Sequence, residues 1–526
     1  MARRARNDIT RTLTGSRGVA WAFTVAAFAL MLVPSVGLLW APGNEGAVGA
    51  EKRELAAPPP VLTAEGAPNV DVLADAGEWF EDHFAYRAAL VDAGARLYAG
   101  AFGVSTTDQV IVGRQGWLYY GGTLADFQDR APLRSRQARN IAHNLRLMQD
   151  YCEAQGARFA VMAAPDKNAL YPEAMPYYYP PVPGSSEERL AQRLAEFGVR
   201  FVDASGALRQ AMGSEGLLYY RGDSHWNEKG ALVAQDALVE DVGLAKAPFD
   251  AAAMEERHDY VGDLERMLYP LSAAPEEDWV LAGVNDGSGA NGAPRSGSRW
   301  RFVEGEGVED GLVRTEPAEG LTAGGAEGAG EGAREAVAGG AVAEANGTLL
   351  MFRDSFGNSL VPYLACEFQR AGFSKMLPYD LLSVREERPS VVVVERAQRH
   401  EAYWAEEAPL MPCPRVEVQA AGREPMAVEA TATVDGPLLR LKGRVAGLAA
   451  RWPEADVFVR LEGADGQGAT YEAFALSDGS SDDGFCLSVS AEAWSRRATR
   501  AVVLVGEPGA AVAVGEMPLD AGALAS

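Results

Sequence analysis

Cysteine and basic side chains are both scarce in this chain of 526 residues. Its four cysteines, Cys152, Cys366, Cys413 and Cys486, are too few and too scattered for a disulfide scaffold, and none forms a CxxC metal pair. Cys413 and Cys486 could pair in an oxidising compartment. Only 48 lysines and arginines stand against 73 acidic residues, giving a net charge of −25. Because nucleic-acid binding needs positive charge to displace phosphate counterions, the composition excludes general nucleic-acid binding.

Charged side chains are also missing from residues 18–40, a run of 23. As a helix this run would be about 35 Å long, enough for a bilayer core of about 30 Å. Arginines dominate the residues before it, so the positive-inside rule predicts a cytoplasmic basic stub over 1–17, a transmembrane helix over 18–40 and an extracytoplasmic remainder. The alternative is a cleaved signal peptide, for which Val48-Gly49-Ala50 is a weak cleavage site. Either way, a cytoplasmic cofactor such as ATP or NAD is not expected.

Strand and helix patterns alternate between residues 71 and 410, after a Gly-, Ala- and Pro-rich linker at 41–70. Apolar residues at helical spacing predict helices over 134–155, 186–197, 228–241 and 356–372. Short apolar runs predict buried strands over 159–163, 201–202, 348–352 and 391–394. This alternation is typical of an α/β fold, a doubly wound parallel sheet with helices on both faces.

Two segments depart from that pattern. Between residues 316 and 345, 24 of 30 residues are Ala, Gly or Glu, which predicts a disordered insertion at about 283–346 that interrupts the domain. After Cys413, short alternating runs between turn residues predict a small β-sandwich-like domain over 414–526. Its aromatic residues could bind a carbohydrate by stacking or could fill a core; they include Trp452, Tyr471 and Trp494.

Histidine is rare as well, and four of the five histidines stand in settings that favour a structural role. One of these, His143, is expected on the solvent-facing side of its helix. The fifth, His225, stands in Gly222-Asp223-Ser224-His225-Trp226-Asn227, where Asp223 and His225 would leave an extended segment on the same side. A carboxylate beside an imidazole serves a catalytic site, a metal site or an inert hydrogen bond. No further ligand stands at metal-binding spacing, so no metal is expected.

Ser355 is the candidate nucleophile that would complete a catalytic site. It follows the predicted strand 348–352 and precedes a predicted helix, so its hydroxyl would be exposed at the carboxyl edge of the sheet. The N–H groups at the start of that helix would stabilise an oxyanion. Alternatively, Asp354 or Ser355 merely caps the helix. Together with Asp223 and His225, Ser355 predicts a Ser-His-Asp triad.

Six short motifs between residues about 50 and 400 carry a family resemblance. They are Glu51-Lys52-Arg53-Glu54-Leu55, Asp82-His83-Phe84-Ala85-Tyr86-Arg87, Val112-Gly113-Arg114-Gln115-Gly116-Trp117-Leu118-Tyr119, Pro165-Asp166-Lys167, Asp223-Ser224-His225-Trp226 and Arg353-Asp354-Ser355-Phe356-Gly357. In this order they resemble the SGNH hydrolase-like proteins of the alginate O-acetylation type, the DHHW group. The resemblance implies an SGNH-like α/β domain. The C-terminal segment is not covered by it.

The resemblance also implies roles for individual residues. Ser355 would be the nucleophile, His225 the base and Asp223 the carboxylate that orients it. Ordinary SGNH enzymes add a glycine and an asparagine as oxyanion donors, for which Gly262 and Asn168 are the candidates here. The candidate substrate contacts are Trp226, Lys167 and Arg353.

The activity that the resemblance implies is acetyl transfer to a cell-envelope polysaccharide. A membrane-bound O-acyltransferase would supply the acetyl group, and no cofactor would be needed. Two alternatives stay open: a carbohydrate acetylesterase with the same triad, and a non-catalytic glycan-binding or scaffold protein of the envelope.

Overall fold

Helices and strands alternate along the chain, as the sequence pattern predicts. The structure, a computed structural model, describes residues 17–37, 56–63, 66–182, 186–285, 298–318, 344–464, 466–494 and 497–519. The helices are α1 Arg17–Gly37, α2 Val72–His83, α3 Arg87–Phe102, α4 Leu124–Phe127, α5 Ser135–Ala154, α6 Lys167–Leu170, α7 Ser186–Glu196, α8 Ala204–Glu215, α9 Glu228–Val242, α10 Asp263–Leu268, α11 Val361–Glu367, α12 Leu382–Glu387, α13 Tyr403–Glu406, α14 Leu448–Arg451 and α15 Ala491–Trp494. Short 3₁₀ turns lie at Gly121–Thr123, Pro172–Ala174, Ala251–Ala253, Phe356–Leu360 and Gln398–His400.

The strands are of two groups, one before and one after residue 410. The first group is β1 Val110–Val112, β2 Leu118–Tyr120, β3 Arg158–Ala164, β4 Phe201–Val202, β5 Glu255–Tyr260, β6 Glu276–Val280, β7 Trp300–Glu304, β8 Leu312–Pro317, β9 Thr348–Phe352, β10 Arg370–Ser374 and β11 Val391–Ala397. The second is β12 Arg415–Val416, β13 Gly422–Arg423, β14 Val428–Asp435, β15 Leu438–Val445, β16 Asp456–Gly463, β17 Gly468–Glu472, β18 Phe474–Leu476, β19 Gly484–Ser490, β20 Ala498–Gly506 and β21 Val512–Pro518.

A seven-stranded sheet in the order β4-β3-β11-β9-β10-β8-β7 carries the candidate site. The strands from β4 to β10 pair in parallel, whereas β8 and β7 are added antiparallel. The sheet is therefore mixed, and the prediction of a wholly parallel sheet is wrong at this edge. The parallel strands end at one edge, where loops form the sites of α/β proteins.

Strands β7 and β8 lie inside the segment predicted as a disordered insertion, 283–346. That prediction is wrong for residues 298–318, because β8 pairs with β10 and directs Val313 and Thr315 into the protein, where both are fully buried. The Ala, Gly and Glu content of the neighbouring residues concealed this alternation. Residues 286–297 and 319–343 lie outside the described part of the chain.

One hydrophobic core extends from the sheet into the C-terminal strands. The cluster includes Val161 of β3 and Val394 of β11, together with Leu145 of α5, and it continues to Leu441 of β15 and Val459 of β16. Apolar side chains at alternating positions of strands and at helical spacing on α5 meet here, as their periods predict. A continuous core thus crosses the predicted domain boundary between residues 410 and 414. The division of the chain into an α/β domain and a C-terminal domain stays a prediction.

The C-terminal strands form a six-stranded sheet, β12-β17-β16-β20-β21-β13, and a four-stranded sheet, β14-β15-β19-β18. Trp494 is buried and its indole N–H donates to the hydroxyl of Tyr471 at 2.9 Å, so this pair fills the core, and the carbohydrate-stacking interpretation does not apply to Trp494. Cys413 and Cys486 are both buried free thiols, and Cys413 Sγ accepts the N–H of Ser488.

Contacts divide the chain into two units. The first is Met1–Gly121, Arg221–Asp223 and Val261–Glu276, and the second is Gly122–Tyr220, Ser224–Tyr260 and Glu277–Ser526. Within the first unit, α3, the antiparallel pair β1–β2 and α10 share a small core made of Ala95, Val110, Leu118, Leu264 and Leu268. The seven-stranded sheet belongs to the second unit.

The apolar N-terminal segment forms helix α1, Arg17–Gly37. Among the residues that the structure describes, no helix has both the length and the apolar character that crossing a bilayer requires. The predicted transmembrane helix over 18–40 is therefore not supported. The predicted basic stub up to residue 16, the last three residues of the predicted transmembrane helix (38–40), and residues 41–55 and 64–65 of the predicted linker lie outside the described residues.

Candidate active site

The loop that carries Ser355, the candidate nucleophile, connects β9 to the 3₁₀ turn Phe356–Leu360. The carboxylate of Asp354 accepts the N–H of Phe356 at 2.9 Å with Oδ1 and the N–H of Ala397, at the end of β11, at 2.8 Å with Oδ2. Asp354 therefore caps the turn, and the hydroxyl of Ser355 takes no part in the capping. The capping role that the sequence analysis gave as an alternative for Asp354 or Ser355 is therefore filled by Asp354.

The predicted helix over 356–372 is wrong in its extent. The 3₁₀ turn passes into α11, which ends at Glu367, and residues 370–374 form strand β10. Because the N–H of Phe356 is bound to Asp354, this first N–H of the turn is not the oxyanion donor that the sequence led us to expect.

Ser355 and His225 form the central contact of the site. The Ser355 Oγ lies 2.8 Å from His225 Nε2, although the two residues are 130 positions apart in the chain. The imidazole ring packs against the ring of Phe356, with 4.7 Å between centroids, and its Nδ1 lies 3.3 Å from Ser224 Oγ. A hydroxyl that donates to Nε2 requires the proton of a neutral imidazole to be on Nδ1. This is the geometry of a serine and its general base.

Trp226 and Asn227 position the histidine loop. The indole N–H of Trp226 donates to the carbonyl of Phe356 at 3.1 Å, and its ring meets the Phe356 ring edge-on. Asn227 caps α9 by accepting the N–H of Gly230. Trp226 is fully buried, so it connects the histidine loop to the nucleophile turn, and the structure does not support its predicted role as a substrate contact.

Asp223 belongs to the first unit, where its side chain is buried and its Oδ2 accepts the N–H of Asp263 at 2.7 Å. Gly262, a predicted oxyanion donor, lies beside it. A Cβ on Gly262 would be 2.2 Å from the carbonyl oxygen of Gly222, so a glycine is needed here for the close approach of two backbone segments. That packing alone explains the glycine.

The other predicted contacts are buried and hold internal partners. The amide of Asn168 donates to Thr123 Oγ1 at 2.8 Å, and Lys167 Nζ donates to the carbonyl of Tyr220 at 3.0 Å. Arg353 donates to the carbonyl of Val308 at 2.6 Å and to the side chain of Asn358. Burial lowers the pKa of Arg353 to about 10 against the opposing effect of Glu395. These contacts stabilise loops and do not support a role for the three side chains in binding a ligand.

Glu395 is a residue of the site that the sequence reasoning missed. It lies fully buried on β11, and its Oε2 accepts the backbone N–H of Asp354 at 3.1 Å. A Cβ on Gly357 would be 2.9 Å from the same oxygen. Burial, and then the charge of Asp354, raise the pKa of Glu395 well above its usual value. An acid directly after the four valines of a buried strand is the signal that could have identified it.

Arg399 and Asp166 form an ion pair beneath the Phe356 ring. Arg399 Nη1 lies 2.8 Å from Asp166 Oδ1, and the guanidinium carbon lies 5.2 Å from the centroid of Phe356. Burial raises the pKa of Asp166 to about 6, against the lowering effect of Arg399. The Pro165-Asp166-Lys167 motif thus supports the wall of the site from β3.

Glu309 lies on the loop between β7 and β8, inside the segment that was predicted to be disordered. Lys375 Nζ lies 3.0 Å from its Oε2. Burial acts to raise the pKa of Glu309, but the Lys375 charge, together with hydrogen bonds from Lys375 and Asn358 and the charge of His225, lowers it. This loop therefore adds an acidic side chain to the electrostatic surroundings of His225.

A cluster that offers metal-ligand atoms lies elsewhere, at His143, Asp456 and Glu472. His143 is buried, with Nδ1 3.2 Å from Asp456 and Nε2 3.1 Å from the carbonyl of Ala473. The prediction of a surface histidine is wrong, because the C-terminal strands cover this face of α5. Arg139 donates to Asp456 at 2.7 Å. Its guanidinium thus supplies positive charge beside the carboxylates of Asp456 and Glu472.

Comparison with known proteins agrees with the sequence motifs. Residues 110–280 match the family model described as SGNH hydrolase-like domain, acetyltransferase AlgX. This part of the chain is therefore similar to SGNH hydrolase-like domains of the AlgX type. The matched residues include Asp223 and His225 and end before Ser355, so the place of Ser355 follows from the structure.

Over 169 residues the chain is 30% identical to the probable alginate O-acetylase AlgJ of Pseudomonas syringae pv. tomato; the match covers 30% of this chain and 41% of that protein. The chain thus spans less than half the length of this curated relative. Solved structures that resemble it include the O-acetyltransferase domain of Pseudomonas putida AlgJ, at 18% identity and a TM-score of 0.34 over 56% of this chain and 92% of that one. Another is Pseudomonas aeruginosa AlgX, at 13% identity and a TM-score of 0.34 over 82% and 99% of the two chains.

Proposed function

We propose that this chain is an O-acetyltransferase that moves an acetyl group onto a polysaccharide hydroxyl through an acetyl-Ser355 intermediate. The observation that supports it most is the 2.8 Å hydrogen bond between Ser355 Oγ and His225 Nε2. The AlgX/AlgJ-type domain and a relative named as an alginate O-acetylase support the choice of acetyl group and polysaccharide.

In the first half-reaction, His225 Nε2 takes the proton of Ser355 as Oγ attacks the acetyl carbonyl of the donor. The tetrahedral intermediate collapses when the donor's oxygen leaves with that proton, and the acetyl group stays on Ser355. In the second, His225 removes the proton of a sugar hydroxyl, which attacks the acetyl carbon. Collapse returns the proton to Ser355 Oγ and releases the acetylated sugar.

Asp223 would orient the imidazole by accepting the Nδ1 proton. Its place two positions before His225 and its burial support this role, because a buried carboxylate held by the backbone N–H of Asp263 keeps a fixed orientation. Asp223 thereby completes a Ser-His-Asp triad. Gly262 and Asn168 stay candidates for the oxyanion donors, although each already has a structural role.

Polysaccharide substrates of this kind lie outside the cytoplasm, and we place the protein in the cell envelope. A membrane-bound O-acyltransferase would act before it and supply an activated acetyl ester, because acetyl-CoA is a cytoplasmic compound. The reaction needs no cofactor of its own, since the serine and the imidazole carry both the acetyl group and the proton.

Replacing the nucleophile tests the proposal. We expect Ser355→Ala to lower hydrolysis of p-nitrophenyl acetate by at least about 1,000-fold and to abolish the acetylated species seen by intact-protein mass spectrometry. Ser359→Ala, in the same 3₁₀ turn, is the matched control and should retain wild-type turnover. Wild-type turnover by Ser355→Ala would rule out the acyl-enzyme.

An experiment with an acceptor sugar distinguishes transferase activity from esterase activity. Wild-type protein is supplied with p-nitrophenyl acetate and de-acetylated oligosaccharides, and the products are separated by mass. Acetylated sugar indicates the transferase, whereas acetate alone indicates the esterase. If neither forms and Ser355 is never acetylated, the protein is the non-catalytic member that the sequence left open.

A further inference from the structure

Three consecutive tyrosines protrude from the loop that follows the 3₁₀ turn Pro172–Ala174. Tyr177 is 82% exposed and Tyr178 is 46% exposed, and Tyr179 is half-buried beneath them. The rings pack edge-to-face, with centroids 5.4 Å apart for the first two and 4.7 Å apart for the second two. Large aromatic rings bury most of their surface in a folded protein. Two adjacent rings held in solvent therefore form a contact surface.

Prolines and backbone hydrogen bonds restrict the conformation of the loop. Pro176, Pro180 and Pro181 flank the tyrosines and fix their own φ angles. The N–H of Tyr179 donates to the carbonyl of Pro176 at 2.9 Å, and the N–H of Val182 donates to Phe127 at 3.2 Å. These restrictions reduce the conformational entropy that the loop loses when a ligand binds.

The tyrosine loop lies on the same edge of the sheet as Ser355. It follows the carboxyl end of β3, just as Ser355 follows the carboxyl end of β9, and both strands pair in parallel with β11. A chain of buried rings joins the two places. Tyr171, directly before the 3₁₀ turn that leads into the loop, contacts Tyr219 with 6.1 Å between centroids, and Tyr219 contacts Phe356 at 6.4 Å.

Charge and chemistry indicate the class of ligand. Residues 174–186 carry no charged side chain, in a protein whose net charge is −25. A polyanion that approached the acidic surface would be repelled there, but not at this neutral loop. A tyrosine ring offers an apolar face with a hydrogen-bonding hydroxyl at its end, which matches the alternation of C–H faces and hydroxyls on a pyranose ring.

We propose that Tyr177 and Tyr178 form an acceptor subsite on which pyranose rings of the polysaccharide stack beside the acetylated serine. This inference rests on the proposed transferase function and adds to it the means by which the long acceptor is held. A stacked, uncharged contact predicts binding that changes little with ionic strength, unlike binding by lysine and arginine.

Binding is measured in the Ser355→Ala background, so that no catalysis is required. The probes are oligomannuronate, which is anionic, and cello-oligosaccharide, which is neutral. For a probe that the parent protein binds, we expect Tyr177→Ala/Tyr178→Ala to raise the Kd by about 10-fold or more. This increase should depend little on the salt concentration. The matched control is Tyr98→Ala/Phe102→Ala, another exposed pair of neighbouring aromatic rings, on α3, which should bind as the parent does.

The outcomes separate this inference from the proposed function. With Ser355 intact, the tyrosine double variant should hydrolyse p-nitrophenyl acetate at the wild-type rate and show a raised KM for the oligosaccharide acceptor. If the tyrosine double variant loses binding but the wild type forms no acetyl-enzyme, the proposed transferase function is overturned and the glycan subsite is retained. Wild-type acetylation with an unchanged KM in the double variant would overturn the subsite. Failure of the parent to bind either probe would overturn it as well.

Discussion

The hydroxyl of Ser355 takes no part in holding its own loop, because the neighbouring Asp354 satisfies the backbone around it. Asp354 accepts two N–H groups, from Phe356 and Ala397, and its own N–H donates to Glu395. The loop is therefore held from the two strands β9 and β11 without using the serine hydroxyl. Such support around a nucleophile fixes its position relative to its base, and small displacements there cost large factors in rate.

Glu228 is a buried acid of the same region, three residues after His225. Burial raises its pKa to about 8, the charge of Asp278 adds to the rise, and hydrogen bonds from Asn285 and Tyr363 oppose it. Asn285 Nδ2 lies 2.6 Å from Glu228 Oε2. Since the pKa is higher in the folded protein than in the unfolded chain, the folded state binds more protons between about pH 4.5 and 8.

We therefore expect the free energy of unfolding of the wild type to fall as the pH rises through this window, and Glu228→Gln to remove that loss. Glutamine retains an oxygen for Asn285 and does not titrate. Thermal unfolding measures the difference in the free energy of unfolding between the variant and the wild type. This difference should increase in favour of the variant from about pH 5 to pH 8, by at most about 5 kcal/mol. Glu240→Gln, at an exposed position of the same helix, should keep the wild-type slope. An unchanged slope in Glu228→Gln would contradict the prediction.

At the scale of elements, helix α5 contacts both the α/β sheet and the C-terminal strands. Its apolar residues face the core as their spacing predicts, but its polar face is buried as well. Arg139 and His143 contact Asp456, while Asn144 donates to the carbonyls of Trp404 and Ala475 and accepts the N–H of Ala475. A helix with one apolar stripe is expected to expose its other face. Here the C-terminal strands cover it.

Asn144→Ala should therefore destabilise the protein by about 2–4 kcal/mol, because it leaves two carbonyls and one N–H of the interior without partners. Arg146→Ala, two residues later and 39% exposed, should cost less than about 1 kcal/mol. Urea unfolding of both variants measures the difference. Equal effects would mean that water replaces the lost partners of Asn144.

Local patterns predicted the regular elements well, and the failures share one physical cause. Strand β3 and helix α9 were predicted within about two residues, because their apolar periods reflect burial directly. The 3₁₀ turn after Ser355, the strand β8 and the burial of His143 depend on what another part of the chain supplies. The Ser355–His225 contact followed from motif chemistry, whereas the supporting Glu395 had no motif.

At the scale of the whole molecule, residues 298–318, which lie between β6 and β9 in the chain, belong to the fold. Arg353 is buried, and it donates to the carbonyls of Val308 and Asp310 on the β7–β8 loop. Removing that loop would take two carbonyl acceptors away from a buried guanidinium, which costs several kcal/mol.

We expect deletion of residues 298–318 to abolish activity and to lower the melting temperature or prevent folding. Deletion of 322–341, from the Ala-, Gly- and Glu-rich run, is the control and should preserve both, because such a composition buries little. Circular dichroism and p-nitrophenyl acetate turnover test both deletions. A fully active protein without 298–318 would contradict the role given to the loop.

The order of strands also bears on how the protein behaves at high concentration. In the part of the chain that the structure describes, the edges of the seven-stranded sheet are β4, of two residues, and β7, whose pairing with β8 is irregular between Phe302 and Glu304. Arg301 and Glu304 add charge to that second edge. A short edge and a bulged, charged edge are poor templates for a further strand. Neighbouring copies are therefore not expected to pair through the edges of this sheet, even at high local concentration.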